Sequence, residues 1–190
     1  MNATGHHSLR SMLVAAAAAL VAACAAESPV GVERQSAPAA QLAREVDLGT
    51  CPRLTAPVGS KLDFHAYATG VQIYRWSGTA WDFVAPSAVL YADAGGHGVV
   101  GIHYAGPTWE SNSGSKVVAA VSDRCTPDAS AIPWLVLDAV STTGPGIFER
   151  TATVQRLYTV GGKAPATTGS FVGEEASVPY TAEYFFYRAP

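Results

Sequence analysis

The chain has 190 residues, a formal net charge of −3 and charged side chains at 14% of its positions. It contains no run of Lys and Arg that would neutralise a phosphate backbone, so nucleic acid is excluded as an expected partner. Hydrophobic residues make up 48% of the chain, which is enough for one domain of about 145 residues to bury a real core.

The first element in chain order is an export signal. Arg10 precedes the apolar run Met12–Ala23, which is about half the roughly 20 residues that a membrane-spanning helix needs. Small residues follow the run, and we therefore predict a cleaved signal peptide at residues 1–23. Cleavage near Ala23 or Ala26 by an ordinary signal peptidase is the simplest form of this prediction.

The end of the signal favours a more specific interpretation. Val21-Ala22-Ala23 directly precedes Cys24 and resembles the bacterial lipobox, which implies that Cys24 becomes the lipidated first residue of the mature chain. We expect a membrane-anchored lipoprotein in the periplasm or on the cell surface, or otherwise a secreted protein. Residues 24–46 lack aromatic side chains and cannot bury enough surface to fold, so they are predicted to be a flexible tether.

The cysteine count predicts one disulfide. If Cys24 carries lipid, Cys51 and Cys125 remain as a pair in a compartment that permits disulfides. The alternative is two separate thiols. Neither cysteine belongs to a Cys-x-x-Cys pair, so neither a redox motif nor a zinc knuckle is indicated.

Residues 47–190 are predicted to form a single all-β domain, an antiparallel β-sandwich or barrel. Short apolar segments alternate with clusters of Gly, Pro, Ser and Asn, and Ser77-Gly78 supplies a hairpin turn. In the first strand Leu62, Phe64, Ala66 and Ala68 fall on one face. Pro133–Val140 can form a buried strand or a short helix, and we favour a strand. The other predicted strands are Val71–Trp76, Trp81–Val84, Ala88–Tyr91, Val99–Tyr104, Lys116–Val121, Thr153–Thr159 and Val178–Tyr187.

Many separate motifs of this domain occur in an order that resembles one protein family. They are Cys51-Pro52, Ala68–Tyr74, Trp81–Ala88, His103–Glu110, Gly114-Ser115, Ile132–Leu135, Val154–Arg156, Thr159–Gly162 and Val178–Tyr187. Together they resemble the domain-of-unknown-function family 3455 of secreted bacterial and fungal proteins. The resemblance implies the family's fold and a location outside the cytoplasm, and it implies no activity.

Gly96–Gly101 matches the Gly-x-Gly-x-x-Gly pattern of dinucleotide-binding sites, and Asp123 follows about 20 residues later. That fingerprint requires a helix to begin at the glycines, so that its amide groups can hold a pyrophosphate. Here Ile102-His103-Tyr104 and Gly106-Pro107 indicate a strand and a turn instead. We therefore predict a turn with close strand packing and no dinucleotide site.

The histidines are the candidate metal ligands, because imidazoles on neighbouring strands can converge on one ion. A continuous strand would place His97 and His103 about 20 Å apart, too far for one site. Only a turn at Gly98 or pairing with the strand of His65 could bring two histidines together, and His65 and His103 are the candidate ligands. The alternative for each is a packed or polar-face histidine, and no cofactor is otherwise predicted.

The segment His103–Lys116 combines an imidazole, an indole, a carboxylate and an ammonium around the Gly106-Pro107 turn. His103, Trp109, Glu110 and Lys116 are therefore the predicted ligand-binding residues, and His103 with Glu110 is the candidate acid and base pair. In the alternative interpretation the segment only shapes the fold, with Trp109 on the core and Glu110 in solvent.

Three classes of function fit these features. The leading one is a non-catalytic module of the cell envelope that binds a glycan or another protein through Trp109 and neighbouring aromatic side chains. The second is an exported enzyme that uses His103 with Glu110 or a histidine metal site, although Gly-x-Ser-x-Gly and His-Glu-x-x-His signatures are missing. The third is a structural envelope component. Gln72 and Gln155, each inside a strand, are predicted to be buried hydrogen-bonding groups.

Overall fold

The computed structural model describes residues 46–190. The predicted signal peptide and the predicted lipidation site Cys24 lie outside the described residues, as does the predicted tether except for Val46. From residue 46 onward, no helix has the length and apolar character needed to cross a membrane.

Eight antiparallel strands form one sheet that closes on itself as a barrel. The strands follow one another around the barrel in chain order, and the first pairs with the last. This confirms the all-β prediction, with the barrel as the form adopted. The strands are β1 (Lys61–Trp76), β2 (Trp81–Tyr91), β3 (Val99–Tyr104), β4 (Thr108–Ser111), β5 (Lys116–Cys125), β6 (Trp134–Thr143), β7 (Thr151–Gly161) and β8 (Glu175–Arg188).

Two of the strands each join two segments that the sequence pattern predicted as separate strands. β1 joins the predicted strands Leu62–Ala68 and Val71–Trp76 through Gly70. A Cβ atom at Gly70 would lie 2.1 Å from the Ser87 carbonyl oxygen, so only glycine lets β1 approach β2 this closely. β2 likewise runs through Pro86 and joins two predicted strands. The ambiguous segment that begins at Pro133 forms β6, as we favoured.

One strand was missed altogether. Thr108–Ser111 forms β4, where the sequence had indicated only a loop between His103 and Lys116. The stretch from His103 to Lys116 contains two tight turns, with the four-residue strand β4 between them. β4 pairs with both β3 and β5. So short a strand carries too few residues for an alternating pattern to be recognised.

The barrel interior mixes small and large side chains, which lets eight strands close around a filled core. Phe64, Ala66 and Ala68 of β1 point inward, as predicted. Leu62 does not, because a bulge between Leu62 and Phe64 shifts the register, and Leu62 packs on the outside. The large buried residues of the interior include Leu90, Trp109, Phe148, Tyr184 and Phe186.

A second apolar cluster lies on the outside of the barrel. There residues 46–60, hereafter the covering segment, cover β6, β7 and β8. Leu54 of this segment is fully buried, and its carbonyl oxygen accepts a hydrogen bond from Gln155 at 2.5 Å. Tyr187 donates to the side-chain oxygen of Gln155 at 2.8 Å. Gln155 is therefore a buried hydrogen-bonding group, as predicted, and it ties the covering segment to the barrel.

Cys51 and Cys125 form a disulfide, which confirms the predicted pair. Cys51 lies in the covering segment and Cys125 is the last residue of β5, and their Cα atoms are 5.8 Å apart. The bond therefore anchors the covering segment to the barrel independently of its apolar contacts.

Candidate functional site

One end of the barrel contains a cavity of about 350 Å3, hereafter the barrel cavity. It lies at the end where the β1–β2, β3–β4 and β5–β6 connections are located. Phe83, Val84 and Val121 lie at its mouth and are exposed, whereas Trp109 and Tyr184 lie in its buried part. Phe83 is 55% exposed although it is an aromatic residue. Most of the remaining lining is aliphatic, so the barrel cavity is an apolar pocket with few polar groups.

His103 lies in the wall of the barrel cavity and is only 3% exposed. It is opposite Trp109 in the β3–β4 register, and the two rings stack with centroids 4.4 Å apart. Nδ1 lies 2.8 Å from the carbonyl oxygen of Thr108. A carbonyl oxygen only accepts hydrogen bonds, so Nδ1 carries the proton of the neutral ring.

Burial lowers the pKa of His103 to about 3, and the positive charge of Arg156 contributes to the shift. The imidazole is therefore neutral at physiological pH. With the proton on Nδ1, Nε2 has a lone pair that can accept a hydrogen bond.

Arg124 of β5 lines the barrel cavity as an exposed residue, and the half-buried positive charge of the cavity belongs to Arg156 of β7. Nε and Nη2 donate to the carbonyl oxygen of Pro133 at 3.2 Å and 2.9 Å. No carboxylate of residues 46–190 forms an ion pair with Arg156, and no Asp or Glu lines the barrel cavity. The guanidinium is thus held by a neutral acceptor and its charge is not neutralised by a neighbour.

The other polar groups near the buried part of the barrel cavity are uncharged. The hydroxyls of Tyr180 and Tyr184 lie 3.4 Å apart, and burial raises the pKa of both, so both phenols stay protonated. Among the described residues, the buried indole N–H of Trp109 and Nε2 of Gln72 have no hydrogen-bond partner. Gln72 is therefore buried, as predicted, but its amide nitrogen is unsatisfied.

The predicted site residues separate onto two faces of the barrel wall. His103 and Trp109 point inward and line the barrel cavity. Glu110 lies on the outside, where it contacts Lys116 at 3.0 Å and accepts a hydrogen bond from Tyr104 at 2.7 Å. The Tyr104 hydrogen bond and Lys116 lower the pKa of Glu110. His103 is opposite Trp109 in the β3–β4 register, and Glu110 is the next residue of β4. Because successive residues of a strand point to opposite faces, Glu110 points away from His103, and the two do not form an acid and base pair.

The histidines do not converge either. His65 lies on the outer face, stacked on Phe185 at 4.2 Å, with Nε2 2.9 Å from Glu183 Oε2. His97 lies in the β2–β3 turn beside Asp93. His103 is inside the barrel. Within residues 46–190 no group of three potential metal ligands is present.

The glycine-rich segment forms the turn and close packing that we predicted. Gly96 and Gly98 have positive φ angles of 78° and 64° in the β2–β3 connection. Gly101 lies in β3, where a Cβ atom would be 2.2 Å from the carbonyl oxygen of Glu110. In the described chain no helix begins at these glycines.

Arg156 and Tyr184 are the residues of this site that sequence reasoning missed. Arg156 had a detectable signal: it is a charged residue between Val154-Gln155 and Leu157, inside a strand that is otherwise buried. A charge in such a strand requires a partner or a function. Tyr184 had none, because it is one of several aromatic residues in an apolar strand.

The protein is a closed antiparallel barrel of eight strands with a cavity of about 350 Å3 at one end. The chain belongs to the family described as Protein of unknown function (DUF3455), whose family model matches residues 57–188. The family predicted from the sequence motifs is thereby confirmed. No curated protein and no solved structure matches the chain.

The buried His103 predicts a loss of stability in acid. An unfolded histidine takes up a proton near pH 6.5, whereas folded His103 does so only near its pKa of about 3. Its contribution to stability is therefore complete above pH 6.5 and is lost as the pH falls through this window. From pH 7 to pH 5 the wild type should lose about 2 kcal/mol through this residue.

Urea unfolding at pH 7, 6 and 5 measures this effect. His103→Gln should lose less of its free energy of unfolding over this range, because glutamine does not titrate. His97→Gln is the matched control, since the His97 side chain is exposed, and it should keep the wild-type dependence. Parallel pH dependences for the wild type and His103→Gln would contradict the assignment of a neutral, buried His103.

Proposed function

We propose that this protein is an exported binding module that holds a small, mainly apolar molecule in the barrel cavity. The observation that carries the proposal is the unfilled apolar volume of about 350 Å3 that opens at the mouth beside Phe83 and Val84. An eight-stranded barrel is just wide enough for side chains to fill it or for one small ligand to occupy it. The volume lies at the lower end of the range for small-molecule pockets, roughly 300–1,000 Å3.

The chemistry of the lining supports binding rather than acid and base catalysis. A general base works best with a pKa near the working pH, and that of His103 is about 3. Tyr180 and Tyr184 have raised pKa values and stay protonated. No described carboxylate lines the barrel cavity to act as a second group.

A small molecule also fits better than the glycan or protein surface that we expected from the sequence. Sugar rings stack on aromatic faces that solvent can reach, and Trp109 is only 1% exposed. Its indole is stacked on His103 and makes an edge contact with Tyr184, with centroids 4.4 Å and 5.4 Å away. Trp109 therefore serves the proposed site as part of the wall of an internal pocket.

The proposed location is outside the cytoplasm, with a lipid on Cys24 as the anchor. This part rests on the signal sequence and the lipobox-like residues before Cys24. Cell fractionation tests it: the wild type should be found with the membranes, and Cys24→Ser should be released from them. A soluble wild type that begins at another residue would contradict the anchor and leave the binding proposal standing.

The ligand site is tested with the neutral, apolar fluorophore N-phenyl-1-naphthylamine. We expect saturable 1:1 binding with a rise in fluorescence, because the probe leaves water for an apolar cavity. Val84→Trp places a large side chain at the mouth and should abolish binding. Val140→Trp is the matched control, since Val140 is exposed and does not line the barrel cavity, and it should bind as the wild type does.

Two results would contradict the proposed function. One is a wild type that shows no saturable binding of the probe. The other is binding that is equally strong in Val84→Trp, which would place the probe elsewhere on the protein.

A further inference from the structure

The charge of Arg156 is the feature of the barrel cavity that an apolar ligand alone does not explain. A charged group in an apolar environment is costly unless it is paired. Pro133 supplies one carbonyl oxygen, which orients the guanidinium through Nε and Nη2 but does not neutralise it. Nη1 is not used by this contact. The part of the chain that the structure describes offers no carboxylate partner, so the neutralising group is absent from the wall of the pocket.

The polar groups near Arg156 also suit a ligand group that accepts hydrogen bonds better than one that donates them. The indole N–H of Trp109 and the amide nitrogen of Gln72 are unpaired donors buried in the same wall. Both residues line the barrel cavity with these nitrogen atoms covered, so their N–H dipoles make the potential at this wall more positive. A ligand that brings a negative, hydrogen-bond-accepting group matches this environment.

The single positive charge of Arg156 favours a ligand that carries one negative charge. Arg156 is the half-buried cation of the lining, whereas Arg124 lies exposed at the mouth, where solvent and salt screen it. A dianion would therefore leave negative charge uncompensated in an apolar pocket. A planar carboxylate also matches the fork of a guanidinium, with two parallel hydrogen bonds. The aliphatic lining beside it, Ile132, Leu135 and Leu137, provides the surface for an apolar tail or ring.

We propose that the natural ligand is a small amphipathic monocarboxylate, with its carboxylate on Arg156 and its apolar part along the aliphatic wall. This inference rests on the proposed binding function and names the chemical class of the ligand. Arg156 is then the residue that selects the acid over a neutral molecule of the same shape.

Isothermal titration at pH 7 of matched acids and esters tests the proposal: decanoate against methyl decanoate, and naphthoate against methyl naphthoate. At least one acid should bind the wild type about tenfold or more tightly than its ester, as expected for a charge-assisted hydrogen bond. In folded Arg156→Met the acid should bind no more tightly than its ester. Arg124→Met is the matched control and should keep most of the preference, because Arg124 is exposed at the mouth.

The outcomes separate this inference from the proposed function. Binding of the neutral fluorophore without any preference for an acid overturns the carboxylate and leaves the binding function. Failure of the fluorophore and of every acid and ester overturns both. An acid preference that survives in folded Arg156→Met shows that Arg156 does not select the ligand. The acid-to-ester ratio of the wild type decides the ligand class even if Arg156→Met does not fold.

Discussion

Trp109→Ala is expected to lower the free energy of unfolding by about 3–5 kcal/mol, the usual cost of truncating a buried tryptophan to alanine. The side chain is 1% exposed and packs inside the barrel. Its ring stacks on His103 and makes edge contacts with Tyr184 and Phe186, with centroids 5.4 Å and 5.9 Å away. Alanine would leave a void between three aromatic rings that belong to a closed sheet, and a closed sheet can collapse only a little.

Urea unfolding followed by far-ultraviolet circular dichroism measures this loss. Phe83→Ala is the comparison, because Phe83 is also aromatic and lines the same cavity but is 55% exposed. Its cost should be about 1 kcal/mol or less. Equal midpoints for Trp109→Ala and the wild type would mean that Trp109 is not part of the packed core.

The double variant Cys51→Ser with Cys125→Ser is expected to lose on the order of 4 kcal/mol of stability. The disulfide joins residues that are 74 positions apart, and without it the unfolded chain gains the freedom of that long loop. The folded state should keep the barrel, because the strand ladders do not involve the bond. The covering segment over β6, β7 and β8 should then open at lower denaturant concentrations than the barrel does.

Unfolding of the oxidised wild type, the reduced wild type and the double variant provides the measurement. Reduction should bring the wild type close to the double variant and should leave the double variant unchanged. A double variant as stable as the oxidised wild type would show that the outer apolar cluster alone holds the covering segment. Replacing both cysteines avoids a lone thiol that would form dimers.

Local patterns in the sequence were sufficient for the fold class, most strands and the disulfide. Alternation over five or more residues identifies a strand because side-chain direction along a strand has a period of two. The turn at Ser77-Gly78 was predictable for a similar reason: Gly78 has a φ of 99°, a conformation that glycine adopts without strain. The disulfide followed from counting the cysteines of a chain that is predicted to be exported to a compartment that permits oxidation.

The predicted site was correct only in part, because its geometry depends on which side of a curved wall each residue faces. His103 and Trp109 line the barrel cavity, whereas Glu110 and Lys116 pair on the outside. The four-residue strand β4 decides this separation, and the sequence pattern did not reveal it. Had the segment been an irregular loop, His103 and Glu110 would not have been held on opposite faces.

Hydrophobic periodicity is a local property, so the amino-acid sequence alone was enough to predict an antiparallel all-β domain with an inward and an outward face on each strand. Only the tertiary structure decided that the sheet closes through β1 and β8, that Leu62 turns outward at a bulge, and that Arg156 meets His103 and Tyr184 at one cavity. These features depend on contacts between residues far apart in the chain. Strand register and barrel closure bring them together, and neither is encoded in any short window of sequence.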